Sequence, residues 1–145
     1  MNERLDFYKA GHDAIKAMMG LEQRISKSSL EKPLVDLVRL RASQINGCAF
    51  CVDMHSSDAR KAGENERRLA AVCVWRETPF FTDRERAALE WTESLTLIAA
   101  NHVPDSVWEA VQPHFTPEEL TDLTLLVVAI NGWNRFAIAF RKPVV

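Results

Sequence analysis

Apolar positions along the chain recur at helical spacing, and the rhythm breaks at glycines, prolines and capping residues. Leu5, Tyr8, His12, Ile15 and Met19 share one stripe, which predicts a first helix over residues 3–19 that stops at Gly20. The polar stretch EQRISKSS reads as a connection. Ser29 is a candidate cap for a helix over 30–46, with Pro33 tolerated in its first turn and Leu30, Leu34, Leu37, Val38 and Ile45 on the inner side. Gly47 ends it, and a new helix begins at once, because no breaker occurs between Cys48 and Gly63.

Asn65 caps a helix over 66–77, and TPFF at 78–81 is a turn carrying aromatic side chains. Thr82 and Glu85 have the spacing of a capping box for a helix through about residue 101. A short helix over 105–112 follows Pro104, and Thr116, Pro117 and Glu119 launch a last helix that reaches about residue 141. With no strand, domain linker or internal repeat, the expectation is a single all-α domain, a bundle of six to seven helices. From Leu123 to Ile130 the last helix is apolar nearly all round, which suits a central helix or one that meets another subunit.

Composition narrows the partners more than the fold. The 145 residues are 47% hydrophobic and 26% charged, with a formal net charge of −2, the balance of an ordinary globular protein. No run of basic residues offers a footprint for nucleic acid. The apolar run Leu125 to Ile130 is far short of the ~20 residues that cross a bilayer. The N-terminal stretch mixes acids and bases without an apolar core, so no signal peptide or membrane partner is expected and the cytoplasm is the expected location. Three cysteines are too few, and odd in number, for a disulfide framework. A close pair among them points to redox or metal chemistry.

That pair lies in QINGCAFCVDMHSS, residues 44–57. If Cys48 opens a helix, its sulfur sits at the positive end of the helix dipole, which favours the thiolate. Cys51 and His55 are i, i+4 neighbours, so the imidazole can take the thiol's proton. Cys48 and Cys51, at i, i+3, are within reach of a disulfide. The stretch therefore offers an attacking thiol, a base, and a second thiol that can capture a sulfenic acid as a disulfide, the parts of a thiol peroxidase. On the preceding helix Asp36, Leu40 and Ser43 share a face directed toward the Cys48 turn, where a carboxylate can hold or relay through the imidazole.

Other readings stay open on these residues. Cys48 and Cys51 can be two buried thiols beside a core histidine, or an oxidisable switch that binds or regulates without turnover. With His55 they can supply three zinc ligands, although no nearby residue supplies the fourth that a structural site wants. Cys73 shares a stripe with Leu69 and Val72 and His12 sits on the first apolar stripe, so both are expected in the core. Trp133, beside Asn131, Asn134 and Arg135, is a candidate interface residue.

The run LVDLVRLRASQINGCAFCVDMH, Leu34 to His55, resembles the signature of the alkylhydroperoxidase AhpD-like branch of the carboxymuconolactone decarboxylase family, and the likeness extends through ERAALEWTESLT and INGWNRFAIAF. The resemblance implies an AhpD-like all-α fold, a trimer or hexamer of identical chains, and reduction of hydroperoxides by a dithiol reductant or adaptor protein. It implies no cofactor and no metal. Carried onto matching positions, it makes Cys51 the cysteine that attacks peroxide, Cys48 its resolving partner, and His55 part of the proton relay. Asp36 stands where the relay usually has a glutamate, and Phe50 stands where better-studied members carry a histidine beside the second cysteine. Phe50 and its apolar neighbours suggest a hydrophobic approach to Cys51, suited to alkyl hydroperoxides. Decarboxylation is not implied, since the decarboxylases of the family lack the cysteine pair.

Overall fold

The computed structural model describes residues 2–144. Among these residues the fold is entirely helical, with nine α-helices and two 3-10 segments and no strand. Two of the expected helices are each split in two, which accounts for nine in place of six to seven. The first breaks at Gly11. Asp6 caps α1 (Phe7–Ala10) by accepting from the Tyr8 and Lys9 amides, and α2 (His12–Ser26) begins afresh after Gly11.

Contrary to the sequence pattern, Gly20 does not stop α2, which continues to Ser26 and buries Ile25. An internal glycine costs a helix only about 1 kcal/mol, and burial of Ile25 against the main core outweighs that. The cap of α3 (Lys32–Asn46) is Glu31 in extended conformation, with Pro33 in the first turn, so Ser29 lies outside the helix. Leu30 is nevertheless buried in the core.

At the C-terminus of α3, Gly47 adopts φ 67°, and the amides of Gly47 and Cys48 return to the carbonyls of Gln44 and Ser43. This left-handed turn reverses the chain without a gap and delivers Cys48 as the N-cap of α4 (Ala49–Lys61). Asn65 caps α5 (Glu66–Ala71) as expected. The helix expected over 66–77 changes there into a 3-10 segment, Val72–Glu77, with a kink at Val74.

Both halves of the Thr82–Glu85 capping box are present at α6 (Asp83–Thr96). The helix ends short of residue 101 because Leu97 leaves helical geometry, and α7 (Ile98–Asn101) is a separate turn. Then come α8 (Asp105–Val111), a 3-10 turn Gln112–His114, and α9 (Pro117–Phe140), whose Thr116–Glu119 capping box is also complete.

Helices α3 and α9 form the axis of the bundle. The α3 helix packs on α4, α6 and α9, while α9 also lies against α2. Val38, Ala88, Leu123, Leu126 and Val127 meet in one core, and Leu37, Leu40, Val72 and Leu89 in a second. Each fully buried leucine contributes roughly 1.5–3 kcal/mol of transfer free energy, so these layers fix the relation of α3 to α9. By length and composition α9 would suffice to cross a membrane. Here one side of it is buried in the fold, through Leu123, Leu126, Val127 and Ile130, while Val128 and Ile138 remain exposed.

Candidate active site

The site grows from the α3–α4 junction. Because Gly47 turns the chain so tightly, the Cys48 side chain folds over the first turn of α4, where its sulfur accepts the Cys51 amide at 3.4 Å. An unpaired amide at the positive end of a helix is the environment that favours sulfur carrying negative charge. The two sulfurs are bonded to each other, with Cα atoms 5.3 Å apart. Each cysteine is only 2% exposed, and both pack with Ala137 of α9 and with Phe50.

Cys51 and His55 line one cavity of about 430 Å³, open to solvent and walled by residues of α1, α2, α3, α4 and α9. His55 is 9% exposed and, among the described residues, its ring makes no hydrogen bond. Its pKa is lowered from 6.5 to about 4, chiefly by burial and then by the positive charge of Arg39, with Asp58 opposing and Lys32 adding a smaller lowering effect. The imidazole is therefore neutral at pH 7 and holds a free nitrogen lone pair on the cavity wall.

Asp36 lines the same cavity, 5% exposed, as the pattern on α3 suggested. Its carboxylate is held by Lys32, with Nζ 2.6 Å from both oxygens, and forms no hydrogen bond with His55. Neither neighbouring arginine pairs with it: Arg39 binds Glu22 and Arg41 binds Glu93. Ser43 lies elsewhere. It is fully buried, and its hydroxyl accepts from the Asn134 side chain at 3.0 Å, tying α3 to α9 in a polar cluster with Asn46 and Asn131. Its link to the site is the carbonyl that receives the Cys48 amide.

Several lining residues escaped the sequence reading. Tyr8 and Met19, on the stripe assigned to a core, instead face the cavity together with Phe50, Met54 and Trp133. Trp133 donates its indole N–H to Glu22 at 3.0 Å and so belongs to this wall. Lys32 carried a usable signal, its i, i+4 spacing to Asp36. Glu22, Arg39 and Trp133 carried none, since they come together from three different helices. Two core assignments are reversed: His12 is exposed beside Asp13, and Cys73 is exposed on the 3-10 segment, because the kinks at Gly11 and Val74 rotate the expected stripes. Among the described residues no three His, Cys, Asp or Glu side chains are grouped as metal ligands, and the two thiols of the zinc reading are bonded to each other.

Comparison with known proteins gives a consistent picture. A sequence model of the carboxymuconolactone decarboxylase family matches residues 12–94. The YdfG protein of Bacillus subtilis is 42% identical over 139 residues, covering 96% of this chain and 95% of that protein. A crystal structure from Agrobacterium tumefaciens, of a protein of unknown function provisionally described as the antioxidant defence protein AhpD, superposes with a TM-score of 0.95 at 44% identity, over 99% of this chain and 100% of that one. The debrominase Bmp8 shares the fold, with a TM-score of 0.80 at 18% identity, over 94% of this chain and 74% of that one.

Proposed function

The chain belongs to the carboxymuconolactone decarboxylase family, and from that premise we propose that it is a thiol-dependent peroxidase that cycles between the Cys48–Cys51 dithiol and disulfide. The observation that carries the reading is the placement of Cys51 and His55, one helical turn apart, on the wall of one cavity, with Cys48 within bonding distance behind.

In the reduced protein His55, neutral at pH 7, accepts the Cys51 proton. A thiolate one turn away supplies the negative charge that raises the affinity of the imidazole for that proton. The thiolate attacks one oxygen of the hydroperoxide, the O–O bond breaks, and the departing alkoxide takes the proton from His55 to leave as an alcohol. Cys51 is now a sulfenic acid. The Cys48 thiol attacks it, water leaves, and the disulfide forms. A dithiol reductant or adaptor protein returns both cysteines to thiols. Asp36 serves as the outer end of the proton path, with water bridging from its Lys32-bound carboxylate to the imidazole.

A cavity of about 430 Å³ walled by Tyr8, Phe50, Met54 and Trp133 is larger and more apolar than hydrogen peroxide requires, which supports an alkyl hydroperoxide as substrate. The exposed apolar side chains Val128 and Ile138 on α9 and Leu97 and Ile98 beside it support a homo-oligomer, a trimer or hexamer. Cytoplasmic function accords with a dithiol that must be kept reduced.

The test is to reduce the protein, add one equivalent of cumene hydroperoxide, block free thiols and locate the oxidised residues by peptide mass spectrometry. The expected result is a Cys48–Cys51 bridge in the wild type, a Cys51 sulfenic acid in Cys48→Ser, and no peroxide consumption by Cys51→Ser. Free thiols throughout would overturn the peroxidase reading. A bridge that no dithiol can reduce would favour a single-use redox switch.

A further inference from the structure

The charged side chains that line the cavity beside His55 are Glu22, Lys32, Asp36, Arg39 and Asp58. Most of them are already engaged. Lys32 holds both oxygens of Asp36, and Asp58 is exposed, with Lys61 4.0 Å away. Glu22 spends one oxygen on the Trp133 indole at 3.0 Å and the other on Arg39.

Arg39 is different. Its guanidinium carries five donors and no acceptor, and it stays protonated at any working pH. One nitrogen, Nη2, binds Glu22, and among the described residues the rest of the group makes no hydrogen bond. The side chain is 20% exposed, so these spare donors sit at the cavity wall and not in open solvent. Trp133 of α9, Glu22 of α2 and Arg39 of α3 form a strut across three helices, which fixes where the spare donors lie. Helices α3 and α4 pack as a hairpin about Gly47, and Arg39 stands as many residues before that turn as His55 stands after it. The two therefore lie at about the same level of the hairpin, on one cavity wall. Consistent with that placement, the Arg39 charge lowers the pKa of His55 second only to burial, while Glu22 has no comparable effect there. The countercharge lies on the far side of the guanidinium from the imidazole.

Resting on the peroxidase reading above, we infer that Arg39 is a further catalytic residue, the oxyanion-binding group of this cavity, whose spare guanidinium donors take the oxygen that leaves the substrate. The Cys51 thiolate bonds to the terminal, hydrogen-bearing oxygen of the hydroperoxide, the O–O bond breaks, and its electron pair goes to the alkyl oxygen. That oxygen develops a full negative charge. Arg39 donates N–H bonds to it while the His55 imidazolium delivers the proton that turns it into an alcohol, and Cys51 is left as the sulfenic acid. A fixed cationic donor aimed at charge that develops only as the bond breaks stabilises the transition state more than the neutral substrate. Lys32 cannot substitute, because its ammonium is bound to Asp36 and turned toward solvent.

The experiment times oxidation of the reduced full-length protein by rapid quench and intact mass, with two oxidants. Against cumene hydroperoxide, whose leaving alkoxide needs stabilising, Arg39→Gln should be slower by roughly 10²-fold, with part of the rate restored in Arg39→Lys. Against peroxyacetic acid, whose acetate leaves with little help, the loss should be under about tenfold. Glu22→Gln breaks the same ion pair and keeps the cation, so its loss should be far smaller than that of Arg39→Gln. Equal losses with both oxidants, or equal losses in the two variants, would show that Arg39 only braces the helices and would overturn the inference. A second measurement uses the oxidised protein, in which no peroxide chemistry occurs. Benzoate, a small carboxylate probe, is titrated while the His55 ring is followed by NMR. It should bind and raise the His55 pKa, by bringing an anion beside the imidazole, and Arg39→Gln should weaken that binding by about tenfold or more. Absence of binding in the unaltered protein, which requires no variant to fold, or binding indifferent to Arg39→Gln, would equally overturn it. If cumene hydroperoxide leaves the unaltered thiols free while benzoate binds through Arg39, the peroxidase reading fails and the oxyanion site stands.

Discussion

Replacing His55 by glutamine removes a group whose pKa folding has driven from 6.5 to about 4. The unfolded chain binds that proton more tightly than the native one, so acidification favours unfolding across this window. Above about pH 6.5 the burial of neutral imidazole costs nothing in protonation. As pH falls from there toward about 4 the wild type loses stability, and below that the loss levels off because both states are protonated.

At roughly 1.4 kcal/mol per pH unit, the gap corresponds to a loss of about 3 kcal/mol between pH 7.5 and 4 that His55→Gln does not suffer. Urea unfolding of the oxidised proteins, followed by tryptophan fluorescence at half-unit steps of pH, measures it directly. Carboxylates also titrate below pH 5, but they are common to both proteins, so the difference between the two curves belongs to His55. If that difference stays constant with pH, His55 is not held neutral by burial and the Arg39 and Lys32 charges. The proposed role of a free imidazole lone pair would fall with it.

Core and backbone predictions follow from the same structure. Leu123→Ala empties a fully buried site between α9 and its neighbours and should cost about 2–5 kcal/mol, read as a lower urea midpoint at unchanged slope. Gly47→Ala meets no atom within 4 Å, so its cost is the left-handed backbone alone, about 1 kcal/mol, with thermal unfolding as the readout. Gly20→Ala, which is equally uncrowded but lies inside α2, should act in the opposite direction and gain up to about 1 kcal/mol. Thr116→Ala removes half of the capping box that starts α9 and should lose about 1 kcal/mol in the same assay.

Much of this architecture could be read without coordinates, wherever the determining interaction is local. The capping boxes at Thr82 and Thr116, the Asn65 cap and the turn at Gly47 each depend on residues two to five apart, and all four occur as expected. The same is true of the Cys48, Cys51 and His55 arrangement, because one turn of one helix fixes their spacing. Expectations failed where a local signal competes with a distant one. Gly20 was read as a stop, yet packing of Ile25 carries α2 past it. Ser29 has the side chain of a cap, yet the helix starts at Lys32 with Glu31 in the cap position. The stripe of Tyr8 and Met19 looked like a core face because periodicity reports which side is apolar and says nothing about whether that side meets protein or a cavity.

Only the tertiary structure could decide the surroundings of the pair. Asp36 and its partner Lys32 are set by their own helix, but Ser43 turns to Asn134 on a helix some ninety residues away. The pKa of His55 depends on burial under four other helices and on Arg39 and Lys32, quantities with no signature in the motif. Helical spacing determines which side chains stand together on one element, the Lys32–Asp36 pair included; dielectric, access and ion pairs between helices, such as Arg39–Glu22, arise only when distant elements pack.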